Sequence, residues 1–123
     1  MKLLTKAIEK KLLENNNKSL EDTDGSIEYD KVVVKFFNPS GQATWWVHSM
    51  DEDGICFGIA QMFGKDTREY GYFNINEIKA IKCPPLGLPI ERDMYYTPET
   101  FGELLWSKIN RKKLKNIYWV MVI

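Results

Sequence analysis

Apolar and polar positions follow two different periods along this chain. Near the start, Leu4, Ala7, Ile8 and Leu12 recur at helical spacing, Leu3 widens their stripe, and Lys6, Glu9, Lys10 and Lys11 take the other side. Residues three and four apart share one face of a helix, so this spacing predicts an amphipathic helix of about three turns. Asn15, Asn16 and Asn17 are expected to end it, because asparagine side chains compete for backbone hydrogen bonds. The passage from Asn15 to Asp30 is polar, acidic from Glu21 onward, and reads as an exposed loop.

After that loop the pattern becomes β-branched and aromatic. Val32 to Phe37, Thr44 to His48, Ile55 to Ala60 and Glu69 to Asn74 read as four strands. Asn38-Pro39-Ser40-Gly41, Asp51-Glu52-Asp53-Gly54 and Gly64-Lys65-Asp66-Thr67 supply the turns between them. Strands joined by such short turns predict an antiparallel meander. Successive strand residues point to opposite faces, so Trp45 and Trp46 part company, as do Phe36 and Phe37. Both faces of the sheet must then be at least partly covered. Gly58 and Gly71 fall inside strands and mark bulges or close approaches.

Asn74 or Asn76 can cap a short helical turn through Glu77, Ile78 and Ile81. The segment Pro84-Pro85-Leu86-Gly87-Leu88-Pro89 then forces an extended, non-helical path. It leads directly into Glu91-Arg92-Asp93. Alternation puts Glu91 and Asp93 on one side and Arg92 on the other. Arg92 is expected to grip a distant carboxylate, Glu69 or Glu77, through its planar fork. Thr97-Pro98-Glu99 reads as a helix start, with Phe101, Leu104, Leu105 and Ile109 as its apolar face. Residues 117–123 read as a last strand.

Composition narrows the class. The chain has 123 residues, read as one domain (1–123), and a chain this long buries roughly two thirds of its unfolded surface. Hydrophobic residues make up 44% and aromatic residues 13%, which excludes a disordered chain. Seventeen basic residues balance seventeen acidic ones, so no overall charge draws it to nucleic acid or anionic lipid. The two cysteines, Cys56 and Cys83, stand outside any CxxC spacing and are expected to be free thiols in a reducing cytoplasm. No apolar run reaches the ~20 residues of a membrane span, and the charged start does not resemble a signal peptide.

Catalytic chemistry finds little purchase. His48 is the only histidine, and no HxxxH, HExxH or CxxC pattern accompanies it, so neither a metal site nor a Cys–His pair is supported. No phosphate loop exists, and no cofactor is expected. The interaction-surface residues singled out are Glu69, Tyr72, Glu91, Arg92 and Asp93. A second set, Lys108, Arg111, Lys112, Lys113 and Lys115, places five cations in eight residues and could contact phosphates, with an exposed tryptophan stacking on bases. A third reading uses Glu69, Glu91 and Asp93 as acid–base groups.

Several pieces together carry a resemblance. They are Met1-Lys2-Leu3-Leu4-Thr5, Val34-Lys35-Phe36-Phe37-Asn38-Pro39, Thr44-Trp45, Phe57-Gly58, Glu69-Tyr70-Gly71-Tyr72-Phe73 and Pro85-Leu86-Gly87-Leu88-Pro89-Ile90-Glu91-Arg92-Asp93. Their order, up to about Tyr96, resembles the bacterial domain of unknown function 2958 family. That resemblance carries no activity with it. It implies a small protein encoded on plasmids and other mobile elements, with a role in their maintenance, transfer or defence evasion. The acidic Asn15–Asp30 passage and the basic, aromatic tail depart from the family pattern.

The expected fold is α+β: an antiparallel sheet of four to five strands with the N-terminal and C-terminal helices packed on it. A small closed barrel with peripheral helices is the alternative. The first functional expectation is a non-enzymatic, cytoplasmic module that binds a protein partner. Nucleic-acid binding is the second and an enzyme of unknown class the third.

Overall fold

The computed structural model describes residues 2–21 and 26–105. It is α+β, built on one five-stranded antiparallel sheet. Strands β1 (Val34–Phe37), β2 (Thr44–Met50), β3 (Ile55–Gln61) and β4 (Glu69–Asn74) form the expected meander. Helix α1 spans Lys6–Glu21 and helix α2 spans Ile75–Ala80. Beyond α2 come β5 (Lys82–Cys83), β6 (Leu88–Pro89) and β7 (Glu91–Arg92). The sheet order is β4-β3-β2-β1-β7, while β5 and β6 pair as a separate hairpin.

The proline-rich segment is non-helical, as expected, and its turn is flanked by the short strands β5 and β6. Its turn leaves Lys82 paired with Pro89 and Cys83 with Leu88, and the chain then lays Glu91 and Arg92 along β1. A proline at a strand edge costs no ladder bond when its missing N–H would face outward. The expected fifth strand, residues 117–123, lies outside the described residues, as do Ile109 and the basic set Lys108–Lys115.

β2 is the centre of the molecule and is buried along its whole length. One face carries Val34, Phe36, Trp45, Val47, Met50 and Cys56, which pack under α1 and α2 with Leu3, Leu12, Ile75 and Ile78. The opposite face carries Trp46 and Ile59, covered by Val32, Phe101 and Leu104. Trp45 and Trp46 thus enter two different hydrophobic layers, as their alternation required. Each fully buried large apolar side chain contributes roughly 1.5–3 kcal/mol.

Helix α1 starts where Thr5 Oγ1 accepts from Ile8 N–H at 3.2 Å, a side-chain cap. It does not stop at the asparagines. A register shift between Val47 and Ser49 bulges β2 at His48 and drops that residue from the ladder with β3. The His48 carbonyl then accepts from Asn15 Nδ2 at 2.8 Å. With its amide committed to β2, Asn15 no longer competes with its own helix, which runs on to Glu21. Ala7, placed in the apolar stripe by spacing alone, is exposed.

The C-terminal helix also starts later than the sequence suggested. Residues 101–105 are helical, and the cap is Thr100, whose Oγ1 accepts from Glu103 N–H at 3.2 Å. Thr97-Pro98-Glu99 is not helical, Val32 N–H donating to the Glu99 carbonyl at 2.8 Å. Asn74 caps α2 through Asn76 N–H at 2.8 Å, as expected.

Gly58 shows why the middle of β3 is glycine. A Cβ there would sit 2.0 Å from the Trp46 carbonyl oxygen, a backbone atom that cannot step aside. Gly58→Ala should therefore lower stability by about 3 kcal/mol, read from urea unfolding midpoints. Gly71→Ala, where nothing lies within 4 Å of the added carbon, should change it by less than ~0.5 kcal/mol.

Candidate interaction surface

The residues singled out from sequence do not share one face. Glu69 and Tyr72 lie on β4, while Glu91, Arg92 and Asp93 lie on or just after β7, the opposite edge of the sheet. Four strand spacings of ~4.8 Å separate the two edges. The acid–base reading of Glu69, Glu91 and Asp93 fails on this distance, since no single substrate bond could lie between them.

Arg92 pins its segment, but not to a carboxylate. Its Nη1 donates to the Lys2 carbonyl at 3.0 Å and to the Leu3 carbonyl at 3.5 Å. The guanidinium therefore ties the β7 edge to the chain leading into α1. Glu69 is out of its reach because β7 pairs with β1 at the edge opposite β4, and Arg92 forms no ion pair with Glu77. The alternation itself holds. Asp93 turns to the other face, where its Oδ2 lies 3.8 Å from Lys35 Nζ.

The β4 edge has a different character. Among the described residues no strand pairs with its outer side. It has no proline, no lysine and no break in its register with β3; its one charge is Glu69 at its first position. Natural sheets guard edges with those devices, so β4 is an open template. Tyr72 projects from it 77% exposed, its ring 4.9 Å from that of Phe57. Phe57 stacks in turn on Tyr70 at 5.7 Å. Met62 and Phe63, in the turn leading to β4, are exposed as well, Phe63 by 72%. The β3–β4 hairpin thus presents an unpaired backbone edge flanked by apolar side chains.

Beneath this edge lies a polar constellation that sequence reasoning missed. His48 Nε2 lies 2.8 Å from Asp30 Oδ2, and the ring packs edge-on against Phe101 at 5.6 Å. Arg68, buried, lies 4.7 Å from the centre of the Trp46 ring. Its Nε donates to Gln61 Oε1 at 2.9 Å, and its Nη1 donates to the Leu104 carbonyl at 3.1 Å. These contacts tie the start of β4 and the Asp30 segment to the C-terminal helix. No sequence pattern marked them, since the partners lie 18 and 36 residues apart. A dyad of Asp30 and His48 is short of a nucleophile, and the imidazole is closed off under Phe101. It serves as a structural clasp. No group of three or more metal-ligating side chains occurs among the described residues.

Trp45 and Trp46 are both buried, so neither is available to stack on bases. Trp106 and Trp119 lie outside the described residues. Cys56 and Cys83 are buried free thiols, and burial pushes Cys56 up to about 12, so it is no nucleophile near neutral pH. No described helix is long and apolar enough to cross a membrane.

An α+β protein with a five-stranded antiparallel sheet is the class that these elements define. The family model for the protein of unknown function DUF2958 matches residues 3–112, nearly the whole chain. The chain belongs to that family. No curated protein and no solved structure matches it.

Burial makes stability depend on alkaline pH. Cys56 rises from 9.0 to about 12 on folding, and burial raises Tyr70 and Tyr96 above their ordinary 10.0. The unfolded chain releases these protons first, so above pH 9.0 it binds fewer of them than the folded chain. Stability should be fully present below that pH and fall steadily above it. Urea unfolding across an alkaline series checks this, and Cys56→Ala should shallow the fall.

Proposed function

We propose that this protein is a non-enzymatic interaction module that captures a protein partner by adding a strand to β4. The observation that carries this reading is the outer edge of β4, which no strand among the described residues pairs, with Tyr72 exposed beside it. Unpaired backbone N–H and C=O groups in a row are best satisfied by another extended chain. The apolar side chains on the hairpin offer pockets for alternate residues of the incoming strand. Such a partner is a protein segment rather than a nucleic acid, because the edge itself offers one carboxylate, Glu69, and no cation. The mobile-element setting implied by the family resemblance suits a small module aimed at a host or element-encoded protein.

Tyr72→Lys tests the reading. Its side chain is exposed, so folding stability should drop by less than ~1 kcal/mol. A lysine in the centre of the edge opposes strand addition. A partner co-purified from the native host with the wild-type protein should be lost from Tyr72→Lys and kept by Arg92→Ala. Hydrogen exchange at β4 amides should slow when that partner binds. A partner held equally by Tyr72→Lys, with β4 exchange unchanged, would sink the proposal.

A further inference from the structure

A second surface lies away from β4, on the side of the sheet that α1 covers. Two clefts adjoin there. One, of about 440 Å³, lies between α1, the β2–β3 turn and the start of α2. The other, of about 460 Å³, lies between the chain before α1 and the Pro89–Ile90 segment. Leu4 and Lys79 line both, so the two form one furrow. Each half has the volume of an ordinary ligand pocket.

The furrow is polarised. Its first half is walled by Glu9, Asp51, Glu52 and Asp53, over a floor that includes Leu13, Met50 and Ile75. Its second half is lined by Leu3 and Ile90, with Lys2 as its own charge and Lys79 at the junction that both halves share. The acidic wall is held rigidly. Asp51 Oδ1 accepts from the N–H groups of Asp53 and Ile55, both at 2.9 Å, and Gly54 turns the chain at φ 86°. The Gly54 carbonyl then accepts from Ile75 N–H at 2.9 Å, fixing the turn against α2. Glu52 and Asp53 are exposed on this turn. Among the described residues, no ion pair consumes the charges of Glu9, Glu52, Asp53, Lys2 or Lys79. All five are exposed to solvent and accessible to a partner's charges.

We infer that this furrow binds an extended segment of a partner protein that is basic at one end, apolar in the middle and acidic at the other. Charge complementarity selects this occupant. A nucleic acid or an anionic membrane would be repelled by the acidic half, and a uniformly basic peptide would meet Lys2 and Lys79. The apolar floor needs side chains such as leucine, and the opposed charges set the direction in which the segment lies. This surface is independent of the β4 edge.

A fluorescently labelled octapeptide of two lysines, four leucines and two aspartates, in that order, serves as the probe. Its anisotropy with the wild-type protein should report binding that weakens with added salt. The peptide of reversed order should bind about tenfold more weakly, the joint effect of several exposed ion pairs. The double variant Glu52→Lys with Asp53→Lys should lose a similar factor for the forward peptide. Adding Lys2→Glu and Lys79→Glu should invert the preference, so that the reversed peptide binds better. Circular dichroism confirms that each variant is folded. Tyr72→Lys should leave the affinity unchanged, which separates this test from that of the β4 edge. Equal affinity for both peptides, or no binding at millimolar concentration, would overturn the inference.

Discussion

Everything in this fold follows from the burial of β2 on both faces. A strand with Trp45 on one side and Trp46 on the other cannot leave either face to water, so two separate layers must form. The first is supplied by α1 and α2, the second by the Val32 segment and the C-terminal helix. The approach is so close that β3 can pass β2 only as glycine at position 58. The bulge at His48 then adjusts the register. Without the extra residue, alternation would turn Met50 away from the α1 layer, where it is now buried. The same bulge frees the carbonyl that Asn15 takes. One irregularity in one strand therefore sets both the packing of the sheet and the length of the helix above it.

The two layers are held by different physics. The α1 layer is almost wholly aliphatic and aromatic, closed at its margin by Arg92 on two backbone carbonyls. The second layer mixes apolar packing with polar clasps. Arg68 lies over Trp46 and bonds the Leu104 carbonyl, Asp30 meets His48, and Lys35 sits 5.6 Å from the Tyr96 ring while facing Asp93. Burial lowers the Arg68 pKa, and the carboxylate of Glu99 acts against that shift. A buried guanidinium is tolerated here because its donors find Gln61 and Leu104, and its face finds an aromatic ring.

The strands, their order and the division of the tryptophans were legible because β-period alternation is a local property. Val34–Phe37, Thr44–Met50, Ile55–Gln61 and Glu69–Asn74 needed no distant information. Helix ends were not legible in the same way. Asn15 reads as a helix stop until a bulged carbonyl 33 residues away claims its amide. Thr97-Pro98 reads as a helix start until the Glu99 carbonyl is taken by Val32. The surface residues divided likewise. Tyr72, singled out from sequence, is exposed on β4, whereas Arg92 was assigned the wrong partner. Its true acceptors are main-chain carbonyls, which no side-chain pattern reveals. Arg68, Asp30 and the furrow beside α1 depend on contacts between distant segments, and no periodicity marks them.

The contrast between the layers bears on where a partner can act. Among the described residues, Trp46 Nε1, His48 Nδ1 and Tyr70 Oη are buried without a hydrogen-bond partner, and all three belong to the second layer. A buried polar group left unmet costs about 1–3 kcal/mol. The β4 edge is anchored through Arg68 to the second layer, whereas the proposed furrow is walled by α1, α2 and a hydrogen-bonded turn against the first. An edge that accepts a new strand must adjust its twist to the incoming chain, whereas a furrow that selects by charge position must keep its carboxylates fixed. The two proposed surfaces thus rest on different layers of the fold, one clasped by polar side chains and one closed by apolar packing.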